Sequence, residues 1–161
     1  MTRLNKITPC LWFDTQAEEA ANFYVGVFDD ARVLNVTRYG PGAHRPADMV
    51  LTIDFEIQGQ QITALNGGPE FTFSEAFSLQ VTCDDQEESD RYWYALQADG
   101  GQEGQCGWLK DRYGFSWQVF PHELNGLLTD PDPERAQRAM QAMLKMRRID
   151  LAEVRRAADQ G

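Results

Sequence analysis

The period of hydrophobic and polar positions changes several times along the chain, and each change marks an element. Residues 7–13 are apolar and extended, with Pro9 near the start, where a strand tolerates a missing donor. From Ala17 the spacing turns helical. Ala17, Ala20, Ala21, Tyr24 and Phe28 share one face, with Thr15 as the expected cap and Glu18 closing a capping box. The helix stops near Asp29-Asp30. Strands are predicted over 31–38, 47–57 and 60–66, with a Gly/Pro-rich loop at 39–46 and a turn at Gly59. Asn66-Gly67-Gly68-Pro69 ends the run.

The second half opens the same way. Phe77, Leu79, Val81 and Cys83 alternate with Ser78, Gln80 and Thr82, which predicts a strand over 77–83. Asp85 and Glu88 repeat the capping arrangement, and a helix through Tyr92, Trp93 and Leu96 ends at Gly100-Gly101. Two strands close the half, around 106–110 and 115–120, with Asp111 and Gly114 suited to the turn between them. In the last strand Phe115, Trp117 and Val119 alternate with Ser116, Gln118 and Phe120, so one face meets a core and the other lines a cleft.

Shifted by 70 residues, the two halves agree at Asp14/Asp84, Gln16/Gln86, Glu18/Glu88 and Tyr24/Tyr94, with Phe23 facing Trp93. The last strands superpose with Gly59 on Gly114, which sets Thr63 opposite Gln118. The pattern is an internal repeat of one β-α-β-β-β unit. After His122 the character changes. Asp132 caps a helix with Pro133 in its first turn, Ala136, Ala139, Met140, Met143 and Leu144 form an apolar stripe, and Asp150 to Glu153 offers another capping box. The stripe is expected to serve as core or as a dimer contact.

Composition narrows the partners. A net charge of -10 argues against a phosphate backbone or an anionic membrane as ligand, since both need a basic face. No apolar run is long enough for a membrane span, and the start lacks a signal-peptide apolar region, so a cytoplasmic protein is expected. Cys10, Cys83 and Cys106 are widely spaced without a Cys-x-x-Cys. They are expected to be reduced thiols acting as buried filler, with no nearby His to activate them.

The chain resembles the PhnB-like branch of the vicinal oxygen chelate superfamily, also labelled 3-demethylubiquinone-9 3-methyltransferase domain proteins. The carrying residues are Thr8-Pro9-Cys10-Leu11-Trp12-Phe13-Asp14, Ala17-Glu18-Glu19-Ala20 with Phe23-Tyr24, and Asn66-Gly67-Gly68-Pro69. Further on come Arg91-Tyr92-Trp93, Cys106-Gly107-Trp108-Leu109-Lys110-Asp111 and Gly114-Phe115-Ser116-Trp117-Gln118. The segment from Met140 to Met146, with Ile149-Asp150, also looks like the tail of these proteins.

The resemblance implies an α+β fold. It consists of one vicinal oxygen chelate domain over 1–128, with modules at about 4–70 and 74–124, and a helical tail over 129–161. The modules' curved sheets would enclose a cleft, and family members commonly form homodimers.

In metal-dependent relatives four side chains, two per module, hold a divalent cation, typically His, Glu and Gln. Here the last-strand positions map to Thr63 (or Ala64) and Gln118. The first-strand positions fall among Thr8, Pro9 and Cys10, and among Ser78, Leu79 and Gln80. That is no ligand set, so no metal is expected. His44 and His122 lie off these positions, and Asp54 is a single carboxylate. Neither Gly67-Gly68 nor Gly100-Gly101 has the strand-to-helix context of a methyl-donor site, so no cofactor is expected.

Three functions are weighed. The first is a metal-independent binder of a small molecule in a cleft lined by Trp12, Thr63, Gln80, Trp108, Gln118 and Phe120. The second is an enzyme, either a methyltransferase as the label says or a divergent metal-dependent lyase or dioxygenase. The third is a dimeric scaffold without a ligand.

Overall fold

The computed structural model describes residues 5–161, in two compact units that meet in sequence between Phe73 and Ser74. The first unit holds β1 (Cys10–Phe13), α1 (Ala17–Val27), β2 (Ala31–Arg38), β3 (Val50–Ile57) and β4 (Gln60–Asn66). Its sheet runs β1-β4-β3-β2, with β1 parallel to β4 and the other pairs antiparallel. The strand expected from residue 7 starts at Cys10, because Pro9 has no N–H to give the ladder; only its carbonyl takes part, accepting from Thr63 N–H. Strand β3 likewise starts at Val50. The preceding residues form a turn in which Asp48, at φ +70°, donates to the Tyr39 carbonyl.

Thr15 does not cap α1. Gln16 holds the cap position without a side-chain bond, and Ala17 N–H is taken by Asn66 Oδ1 at 2.8 Å. Asn66 also donates to the Val50 carbonyl, so one buried amide joins helix start, β3 and β4. The core lies between α1 and the sheet, where Ala20, Ala21 and Tyr24 meet Ile53, Phe55, Ile62 and Ala64. The Tyr24 and Phe55 rings stack at 6.0 Å. Strand β2 closes one side of the sheet and, among the described residues, pairs only with β3. Its register shifts twice, and Val33, Leu34 and Val36 are exposed.

The second unit begins with β5 (Ser78–Cys83), α2 (Gln86–Leu96), β6 (Gln102–Glu103), β7 (Trp108–Lys110) and β8 (Ser116–Pro121). The sheet order, β5-β8-β7-β6, repeats that of the first unit. Asp85 caps α2 by accepting from Glu88 N–H, as expected. Strand β6 is additional to the two expected; a two-residue Gln-Glu strand leaves no apolar signal. Strand β7 starts at Trp108 because Cys106 and Gly107 are both left-handed, at φ +57° and +83°.

The helices of the two units superpose 69 residues apart, not 70. Two residues link β5 to α2, where three link β1 to α1. Tyr24 therefore corresponds to Trp93, both wholly buried, while Tyr94 is 60% exposed despite its matching letter.

The tail forms α3 (Glu123–Leu128), α4 (Pro133–Met143) and α5 (Leu151–Asp159). Asp132 and Asp150 cap α4 and α5 as the sequence suggests. Leu124, Ala139, Ile149, Leu151, Val154 and Ala158 make a cluster of their own, against which Met143 and Phe120 pack. Met140 and Leu144 are left exposed.

Candidate functional site

Each sheet has one face under its helix and one face away from it, and alternation decides which residues go where. In the first unit Leu11 and Phe13 lie under α1, so Cys10 and Trp12 take the other face with their register partners Thr63 and Leu65. Asp54 is the partner of Thr63 on β3 and accepts its hydroxyl proton at 2.6 Å. Cys10 is exposed, against the expectation of a buried filler, since even-numbered residues of β1 point away from the core. Its thiol is nevertheless raised above the ordinary range, first by partial desolvation of the sulfur and then by the charge of Asp54. Cys83 is buried, and its thiol is pushed up to about 12.

Trp12 is held from two sides. Its Nε1–H donates to the Gly68 carbonyl at 2.8 Å, and Phe71 meets its ring edge-on at 5.0 Å. A Cβ on Gly67 would overlap the indole. Gly67 therefore gives the indole room against the backbone.

In the second unit the open face carries Ser78 and Gln80 on β5, Ser116, Gln118 and Phe120 on β8, and Trp108 and Lys110 on β7. Gln80 and Gln118 are register partners, as are Trp108 and Gln118. The Gln118 amide donates to Ser78 Oγ at 2.9 Å, so its orientation is fixed within the sheet. Phe120, partly buried, packs against the tail cluster.

A pocket of about 540 Å³ opens beside β7. Trp108, Leu109, Lys110 and Ser116 supply its sheet side, Gln102 to Cys106 form a wall, and Glu75 stands at the rim. Of the six residues expected to line a cleft, only Trp108 lines this pocket. Lys110 is ion-paired with Glu75, whose carboxyl is held below the usual range by that partner. Ser116, the register partner of Lys110, is 1% exposed, and its hydroxyl has no hydrogen-bond partner. The pattern could not single out Gln102, Gln105 or Ser116: the first two lie in a polar stretch without periodicity.

The hairpin beneath the pocket is set by Asp111. Its buried carboxylate accepts from Tyr113 N–H (2.9 Å), Phe115 N–H (3.1 Å) and Trp117 Nε1–H (2.9 Å). With Gly114 at φ +83°, this closes the β7–β8 turn and presents Lys110 and Ser116 side by side.

The residues present do not fit a divalent cation. Within the first sheet Cys10 pairs with Thr63 and within the second Gln80 pairs with Gln118, and among the described residues no group of three His, Cys, Asp or Glu side chains comes together to hold one. A methyl donor fits no better in the glycine-rich segments. The space at Gly67 is filled by Trp12 and that at Gly68 by Glu70, and a Cβ on Gly101 would meet the backbone of Gln97 at the end of α2. No described helix is long and apolar enough to cross a membrane.

Two βαβββ units of identical sheet order define a vicinal oxygen chelate fold, and comparison with known proteins agrees. The family model described as 3-demethylubiquinone-9 3-methyltransferase matches residues 5–120. The PhnB protein of Bacillus cereus is 34% identical, over 73% of this chain and 99% of that one, with a TM-score of 0.67. Protein PA1353 of Pseudomonas aeruginosa is 21% identical, over 73% and 98%, with a TM-score of 0.60. A glyoxalase/bleomycin resistance protein from Albidiferax ferrireducens is 15% identical, over 68% and 92%, with a TM-score of 0.44. No curated protein matches. The chain belongs to the 3-demethylubiquinone-9 3-methyltransferase family, the PhnB-like branch of the superfamily.

Proposed function

We propose that this PhnB-like protein is a metal-independent binder of a small, flat, amphipathic molecule, and that the pocket beside β7 is where the molecule sits. The carrying observation is the buried Ser116 hydroxyl without a partner next to Lys110, at a pocket flanked by an indole. A volume of about 540 Å³ falls within the range of small-molecule sites. Trp108 offers a flat apolar face, Gln102 and Gln105 offer adaptable amides, and Lys110 can exchange Glu75 for an oxygen of the ligand. A rotation of Ser116 that uncovers its buried hydroxyl would let it gain the hydrogen bond it lacks, recovering part of a desolvation cost already incurred in folding.

Cys106 lines the same pocket, but its Sγ–H is directed at the Met143 carbonyl at 3.6 Å. The arrangement supports holding a molecule better than transforming one. The methyltransferase and metal-enzyme readings remain the alternatives, distinguished by saturable methyl-donor binding or stoichiometric metal. Exposed Met140 and Leu144 on the tail favour a homodimer as a second reading, and three unpaired cysteines suit the cytoplasm.

Native mass spectrometry of freshly purified protein reports ligand, metal and oligomer together. We expect a metal-free dimer, and in a thermal-shift screen stabilisation by planar amphipathic compounds that Trp108→Ala and Lys110→Ala each weaken about tenfold or more. No stabilisation by any compound, or equal stabilisation of both variants, would sink the binding reading.

A further inference from the structure

The wall of the pocket is pressed between two things: ligand space on one side and the C-terminal tail on the other. Gln102 to Cys106 line the pocket. Behind them, Cys106 N–H donates to the Met146 carbonyl at 2.8 Å and Gly107 N–H to the Arg147 carbonyl at 2.7 Å. These are the two consecutive left-handed residues noted above. A non-glycine residue in that conformation costs about 1–2 kcal/mol, so Cys106 needs a structural partner to hold it there. The tail supplies one. Gly107 is also pinned sterically, since a Cβ there would lie 2.9 Å from the Val119 carbonyl oxygen and 3.1 Å from Ile149 Cγ1. Arg147 approaches Glu103 at 3.9 Å, adding a weak exposed ion pair to the same wall.

The tail segment is in turn registered by one side chain on α2. The Gln86 amide donates to the Ile149 carbonyl and accepts from Leu151 N–H, both at 2.8 Å, and also donates to Asp90 Oδ1. Arg148 reaches the same Asp90 oxygen at 2.7 Å. Gln86 thus clamps both ends of the 149–151 turn, in the manner of a strand partner. This segment lies outside the stretch that the family model matches, which stops at residue 120. The two related structures also align over nearly their whole length while matching only 73% of this chain.

We infer that the tail segment 146–151, held in register by Gln86, braces the Gln102–Cys106 wall of the β7 pocket from behind and so fixes which ligands this chain accepts. The inference rests on the pocket being the ligand site. It makes Gln86 a positioning residue, acting through the tail on Cys106 and Gly107 rather than by touching the ligand.

The test compares the full-length chain with Gln86→Ala and Gln86→Glu. Amide exchange is read at Cys106 and Gly107, and 8-anilinonaphthalene-1-sulfonate, a flat amphipathic probe, is titrated with Trp108→Ala as the site control. Losing two paired bonds in Gln86→Ala should speed exchange at both amides about tenfold and weaken the probe about fivefold, with β8 amides unchanged. Gln86→Glu keeps the acceptor for Leu151 N–H but sets a carboxylate oxygen against the Ile149 carbonyl and the Asp90 carboxylate, so it should disturb both readouts at least as much as Gln86→Ala. Unchanged exchange at Cys106 and Gly107 in Gln86→Ala overturns the inference. So does faster exchange with probe affinity equal to the wild type. A wild type that binds no probe counts against the pocket as ligand site, and the exchange result then decides the tail's hold on the wall by itself.

Discussion

At Cys10 an exposed residue carries a thiol that resists ionisation. Partial desolvation of the sulfur and the carboxylate of Asp54 both disfavour the thiolate, so its pKa lies above the ordinary value. A raised thiol pKa means less thiolate at any given pH, so iodoacetamide should label Cys10 slowly at pH 8 and faster only as the pH climbs past the usual thiol range. Asp54→Asn removes the charge and should speed labelling at pH 8. Peptide mass spectrometry reads the rate, and equal rates in the two proteins would refute the account. Cys83, buried and pushed up to about 12, serves as the unreactive internal standard. The sequence predicts a buried Cys10 and leaves the facing of this strand open; Leu11 and Phe13 take the core face and leave Cys10 on the other. The pattern could not tell that Asp54, on a strand two positions away in the sheet, stands near Cys10.

At the level of the element, the β7–β8 hairpin shows how far pattern reading reaches. Asp111 and Gly114 mark a turn, and the alternation of Phe115, Trp117 and Val119 assigns the core face correctly. What pattern reading misses is why Asp111 must be an aspartate. Its carboxylate gathers two backbone N–H groups and the indole of a residue six positions on. Asp111→Ala strands three donors, each worth about 1–3 kcal/mol when left unpaired, so the loss should reach about 3 kcal/mol or more. That corresponds to a melting temperature lower by about 6–12 °C. Asp111→Asn keeps one acceptor oxygen and should lose less. A melt of Asp111→Ala within a degree or two of the wild type would contradict the assignment. Helix α1 teaches the complementary lesson: its cap comes from Asn66, far along the chain, so a local capping box was a poor guide.

For the whole molecule, the repeat was legible because the same sequence of periods occurs twice, and both sheets share one strand order. The pocket was not. Its wall is a polar stretch without periodicity, shaped by tail carbonyls some forty residues further on. Metal chemistry sets the expectation for Gln118→Glu. One carboxylate added beside Ser78 and Gln80 leaves the donor set there short. Calorimetric titration of that variant with Mn²⁺, Ni²⁺ or Zn²⁺ should show no tight stoichiometric binding. Submicromolar affinity with one ion per chain would overthrow the metal-independent reading.

The open side of β2 has a consequence for how this protein can be handled. Eight residues of extended backbone with Val33, Leu34 and Val36 uncovered form the kind of border on which a foreign strand can seed and a fibril grow. Two interruptions of its register, at Val33/Asn35 and at Thr37/Arg38, bend that border out of the flat geometry stacking requires. Arg32 and Arg38 near its two ends carry exposed charge, paired with Glu56 and Glu18, which a stacked copy would have to accommodate. Bends and end charges together work against the strand acting as a template.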